Sequence, residues 1–258
     1  MRRAELALAG FLLCACSEDP VYVLGRLPGS GGAGPGGCAV PEPLRDYVFE
    51  GTGTSVADRR GGPPGEIRGG AALDGSGELT LDGEDDYVDL PNGILAGLSE
   101  VTVVAWMHSS PRPAYRRIFD FGVGSDGEDP AEGLGTVGRS YLAATPMTGF
   151  VPDKLAALIS ERGSGGEIAA PSTLEFDDEL HLVAVGASSQ TLDLFYDGVL
   201  IGRVPNSVPL ANIDDVNNWL GRSQYDADPH LRAGYRRVQI YGRALPECAV
   251  GSLFAAGP

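Results

Sequence analysis

Lysine is almost missing from this chain: Lys154 is the single one among 19 basic residues, set against 35 acidic residues for a net charge of −16. A surface this short of cations excludes sequence-independent binding to nucleic acid and electrostatic docking on anionic lipid. It is compatible with neutral sugars, with cations or with plain solubility. Cysteine is scarce too, with four residues and no paired Cys or His spacing of the kind that holds zinc. Three histidines, His108, His181 and His230, occur without a nucleophile-elbow motif, so serine–histidine chemistry has no sequence support. The longest apolar stretch near the start, Leu6 to Leu13, falls well short of the roughly 20 residues that cross a bilayer.

What is abundant is turn chemistry. With Gly 38 and Pro 19 in 258 residues, the economical expectation is one β-sandwich, since such folds often run to about 200–250 residues as a single domain. The first residues stand outside it. Arg2 and Arg3 precede the short apolar run, and Leu13-Cys14-Ala15-Cys16 resembles the lipobox of bacterial lipoprotein signals. That resemblance implies cleavage after residue 15, acylation of Cys16 and anchoring in a bacterial cell envelope, at the outer membrane or cell surface, because Ser17 is not the aspartate of an inner-membrane retention signal. A plain secretory signal cut after Ala15 is the alternative, and both export the protein. Residues 16–40, rich in glycine from Gly29 onward, read as a flexible tether, and residues 41–258 as the folded domain. Two cysteines then remain, Cys38 and Cys248. In an exported chain they are expected to form a disulfide, the alternative being two free thiols.

The domain reads as short strands. Val101 to His108 is apolar on both faces, which suits a central strand covered by a second sheet and by loops, with Trp106 in the core. Asp197-Gly198 between Thr191 to Tyr196 and Val199 to Gly202 signals a hairpin. Pro246 and Glu247 open a brief helix whose Val250, Leu253 and Phe254 are expected to cap one edge of the sandwich. In order, Tyr47-Val48-Phe49-Glu50-Gly51, Leu79 to Pro91, Val101 to Met107, Ile118-Phe119-Asp120-Phe121-Gly122, Asn217 to Gln224 and Val238 to Leu245 match successive motifs of one family. The chain therefore resembles LamG-like domains of the concanavalin A-like lectin/glucanase group. The resemblance implies an all-β, two-sheet jelly roll, carbohydrate or other extracellular ligand recognition without catalysis, and a glycan or cell-surface protein as partner.

The closing hairpin supplies the ligand-binding candidates Arg222, Gln224, Tyr225, Asp226, Asp228 and His230, each of which also reads as part of a hydrogen-bonded loop. Many relatives carry calcium. Asp226 and Asp228, or Asp126, Glu128 and Asp129, are the candidate ligands here, although Arg236 and Arg237 replace the acidic pair of the family pattern. The competing enzyme reading rests on Glu175, Asp177 and Glu179. Their spacing is similar to the catalytic strand of laminarinase-type glucanases, where alternate residues share one face and the outer two acids act as nucleophile and acid/base. A solvated acidic turn is the alternative for that segment, and an adhesion domain without small ligand is the third class.

Overall fold

The computed structural model describes residues 38–110, 113–124, 139–150 and 153–258. Two antiparallel sheets face each other across one core. The first runs Arg45–Val48, Arg232–Tyr241, Val101–Ser109, His181–Ala187, Thr191–Tyr196 and Val199–Pro205, with Leu79–Asp82 also paired to the start of Arg232–Tyr241. The second runs Ser55–Asp58, Gly65–Arg68, Tyr87–Leu90, Asn217–Leu220, Phe119–Val123, Ser140–Thr145, Ala156–Ser160 and Ile168–Pro171. Ser55–Asp58 also pairs with Arg45–Val48 and so joins the sheets at one corner. This is the all-β, two-sheet sandwich that the strand pattern predicts, with one C-terminal helix, Glu247–Ala256.

Alternation assigns each strand an inner and an outer face. Val101, Val103, Ala105 and Met107 of the central strand meet Phe119, Phe121, Leu142 and Ile159 from the opposite sheet in the main core. Val104 and Trp106 point the other way. They are covered by the helix together with loop residues Val40 and Leu245, in a second cluster with Leu182, Phe195, Ala249 and Val250. The helix therefore lies across the outer face of the first sheet, and the expectation that it caps a sheet edge is corrected: Phe254 stacks on Trp106, ring centroids 5.8 Å apart and 13° from parallel. A Trp too large for a sheet surface needs such a lid.

The Cys38–Cys248 disulfide fastens the first described residue to that helix, with Cα atoms 5.5 Å apart and 210 residues between the cysteines. Chain-entropy reasoning gives on the order of 5 kcal/mol for closing so long a loop, as an upper figure. The hairpin at Asp197-Gly198 forms as the sequence indicates, both residues taking positive φ (48° and 81°), which matches the twist of the flanking strands.

Candidate functional site

The outer face of the second sheet carries the polar and aromatic side chains that the core rejects. Between inward-facing Phe119 and Phe121, Asp120 must point out, and the register sets it beside Trp219, which is itself opposite Asp89, which is opposite Glu66. On its other side the same row continues through Ala143, Leu158 and Ala169. The row is thus polar and aromatic at one end and apolar at the other. Tyr141, Ala143, Ala156 and Leu158 form a small buried cluster there, under Tyr225.

The loop after Asn217–Leu220 folds back over this row. Gly221 makes the reversal possible with φ 88°. Gln224 is buried: its backbone N–H donates to Asp120 Oδ2 at 3.0 Å, and its side-chain amide donates to Asn217 O at 2.8 Å and Asp120 O at 3.2 Å. Asp228 accepts from Ser223 Oγ at 2.7 Å and lies 3.3 Å from the Arg117 guanidinium, which also approaches Asp120 at 3.4 Å. Arg139 sits 4.5 Å from the Tyr225 ring centroid, and Tyr225 meets Tyr141 edge-on. Tyr141 donates to Glu167 at 2.5 Å.

Burial pushes the Asp120 carboxyl up to about 7, against the pull of Arg117 and the Gln224 N–H, with Asp228 and Glu167 adding to the rise. Among the described residues its Oδ1 has no hydrogen-bond partner, so a proton held there leaves the Gln224 N–H bond to Oδ2 in place but gives up charge attraction to Arg117. Burial raises Asp228 as well, opposed by Arg117 and Ser223. The pair behaves as a tight internal clamp that fixes the loop on the sheet.

The other half of the row is less tightly enclosed, with half-buried Arg222, Tyr87 and His230 lying over a buried Trp219. Arg222 lies 4.2 Å from the Trp219 ring centroid and 4.8 Å from that of Tyr87. Tyr87 and Trp219 meet edge-on, and His230 lies 6.0 Å from Tyr87. Burial lowers the His230 pKa, with Arg222 adding to the effect, so a neutral imidazole completes the cluster. Arg68 reaches across to Glu66 at 2.7 Å and Asp89 at 3.7 Å. A guanidinium laid on aromatic rings and flanked by carboxylates can offer both an apolar surface and paired donors and acceptors.

The closing-hairpin candidates thus divide. Arg222 and His230 join the half-buried cluster; Gln224, Tyr225 and Asp228 belong to the clamp; Asp226 is exposed. Asp228 does not suit a hard cation, because Arg117 already faces it. Asp126, Glu128 and Asp129 lie outside the described residues, as does Cys16. Arg236 and Arg237 pair with Glu78 at 2.9 Å and Asp46 at 2.7 Å. A carboxylate group formed by Asp82, Asp85 and Asp86 gathers within 4.8 Å, but buried Asp86 already accepts the backbone N–H groups of Gly70, Ala71 and Asp82 and closes that turn.

Glu175, Asp177 and Glu179 do not form a catalytic strand. Residues 172–180 are irregular, with Phe176 turned into the core. Glu175 pairs with Lys154 at 2.5 Å, Asp177 with His181 at 2.8 Å, and Glu179 is an exposed residue whose N–H closes onto Asp177. Glu175 and Asp177, but not Glu179, border a cleft of about 390 Å³ lined also by Met147 and Asp153.

Sequence reasoning missed Arg117, Asp120, Tyr87 and Arg139. For Asp120 the signal was present, since a carboxylate between two inward phenylalanines has to face outward. For Arg139 there was none, because its partner arrives from 85 residues away.

A family model described as the concanavalin A-like lectin/glucanases superfamily matches residues 82–251. No curated protein sequence matches the chain. Among solved structures, domain 4 of a GH43 extracellular arabinanase from Geobacillus stearothermophilus, in complex with arabinotriose, superposes with TM-score 0.63 at 16% identity, covering 82% of this chain and 97% of that one. A Trypanosoma rangeli sialidase superposes with TM-score 0.61 at 16% identity, over 90% of this chain and 36% of the sialidase. The binding domain of botulinum neurotoxin DC, solved in complex with SialylT, gives 0.58 at 10% identity, over 83% of this chain and 51% of that one. At these identities the likeness is one of fold, and the chain spans about a third of the sialidase.

Proposed function

Because the chain belongs to the concanavalin A-like lectin/glucanase superfamily, which contains both binding and hydrolase members, we propose that it is a non-catalytic carbohydrate-binding module that uses the less enclosed half of the second sheet's outer face. The observation that carries this reading is the placement of half-buried Arg222 over the half-buried Tyr87 and the buried Trp219, in a row that continues to Asp89 on the next strand and Glu66 on the one beyond. Sugar rings present C–H faces that pack on such surfaces and hydroxyls that pair with carboxylate and guanidinium groups. The complex of the arabinanase domain with arabinotriose supports a glycan as ligand. The net charge of −16 favours neutral over anionic glycans. Against catalysis stand the irregular course of residues 172–180 and the pairing of Glu175 and Asp177 with cationic or imidazole partners. In this reading Cys16 carries the lipid that holds the module at the cell envelope.

Titration calorimetry with neutral oligosaccharides tests it. Arg222→Ala should weaken binding by about tenfold and lower the melting temperature by a few degrees, because half-buried Arg222 also covers the Trp219 ring. Equal affinity in the two proteins places the site elsewhere.

A further inference from the structure

Tyr115 takes φ 69°, one of two described non-glycine residues with positive φ. The other, Asp197, sits in a hairpin turn that asks for it; nothing in the turn chemistry asks it of a tyrosine, for which this backbone conformation is strained. The strain is held by specific contacts. The Tyr115 N–H donates to Met147 O at 3.0 Å, and its carbonyl accepts from Arg117 Nη1 at 2.6 Å. The remainder of the Arg117 guanidinium is committed to the Asp120–Asp228 clamp, so the conformation of Tyr115 is fastened to the loop that bears Arg222.

Opposite the ring lies Gly149, φ 80°, where an added Cβ would come within 2.2 Å of Tyr115 Cζ. A side chain at 149 would displace the ring. The Gly149 segment is itself braced: buried Thr148 donates its hydroxyl to Phe150 O at 2.9 Å, and Gly149 N–H donates to Asp153 at 2.7 Å. The result of this bracing is an aromatic side chain held outward, Tyr115 46% exposed, with Phe150, 42% exposed, next to its glycine support. A core has no use for a strained, braced and exposed tyrosine.

We propose that Tyr115, seated on Gly149 and flanked by Phe150, is a stacking platform for a neutral sugar ring, a second contact point for the oligosaccharide held at Arg222. It rests on the carbohydrate-binding reading above. The ligand class follows from the surface: two exposed rings at one corner suit the C–H face of a pyranose or furanose, and the strained backbone fixes ring orientation before binding, which spares the ordering cost that a free side chain would add.

The test separates ring from backbone. Arabinohexaose, xylohexaose and cellohexaose are titrated against purified wild type, Tyr115→Gly, Tyr115→Phe and Gly149→Ala, with melting temperatures recorded for all four. Glycine accepts φ 69° without strain, so Tyr115→Gly should melt at or above the wild-type temperature yet bind the recognised sugar at least tenfold more weakly. Tyr115→Phe should bind within about threefold of wild type, and Gly149→Ala should weaken binding by displacing the ring. A Tyr115→Gly protein that binds as wild type overturns the platform and leaves the Arg222 site standing. A Tyr115→Gly protein that melts markedly lower with unchanged affinity assigns the residue a structural role and also overturns it. Wild type that binds none of the three sugars overturns the platform and, for neutral glycans of these types, the reading on which it rests.

Discussion

Among single residues, His181 gives the clearest pH dependence. Its ring bridges two carboxylates, Nε2 to Asp177 and Nδ1 to Asp197, both at 2.8 Å, and it packs against Tyr196 and Phe176. Burial alone would lower its pKa, but the hydrogen bonds and charges of Asp177 and Asp197 outweigh burial and leave it raised. A raised folded-state pKa means that the stabilisation is complete below the unfolded value of about 6.5 and is lost as pH climbs through the folded value. Amide exchange in residues 172–180 should therefore accelerate as pH rises above about 6.5, beyond the intrinsic base-catalysed increase. In His181→Gln that additional step should vanish; an identical step in the variant would show that His181 is not its source. The sequence placed His181 in its strand but gave no hint of Asp197, which only the Asp197-Gly198 hairpin returns to its side.

At the scale of elements, the strands were legible wherever alternation or turn chemistry was strong. Val101–Ser109, the Asp197-Gly198 hairpin and the closing strand Arg232–Tyr241 lie where their patterns indicate. Two elements read differently once folded. The helix Glu247–Ala256 shows its apolar face in the sequence, yet only the outward Trp106 and Leu182 determine that it lies across a sheet. The Glu175 to Glu179 run has the spacing of a strand face, but Phe176 finds the core and its neighbours find His108, His181 and Lys154, so local pattern yields to partners distant in sequence. The loop after Asn217–Leu220 shows the same division: Arg222 to His230 reads in the sequence as a loop with ligand-binding candidates, whereas its separation into a buried clamp and a half-buried cluster depends on Arg117 and Asp120, over 100 residues earlier.

For the molecule as a whole, the acidic surface bears on the proposed lipid anchor. A net charge of −16 disfavours electrostatic association with nucleic acid and anionic lipid alike, so in the proposed reading membrane attachment comes from a covalent lipid. Cys16, in the lipobox-like Leu13-Cys14-Ala15-Cys16, would provide it, and the glycine-rich residues that follow would give the module reach. Cys16→Ser should move the protein from the membrane fraction to the soluble one; unchanged partitioning would dismiss the anchor. The disulfide at Cys38 fixes the first described residue against the helix on the first sheet. The most direct measurement of the central claim is a glycan array probed with the purified wild-type protein. Reproducible binding confined to one group of neutral oligosaccharides, with the arrayed sugars left uncleaved, is the predicted result; absence of binding to every neutral glycan, or cleavage of the bound one, would contradict it.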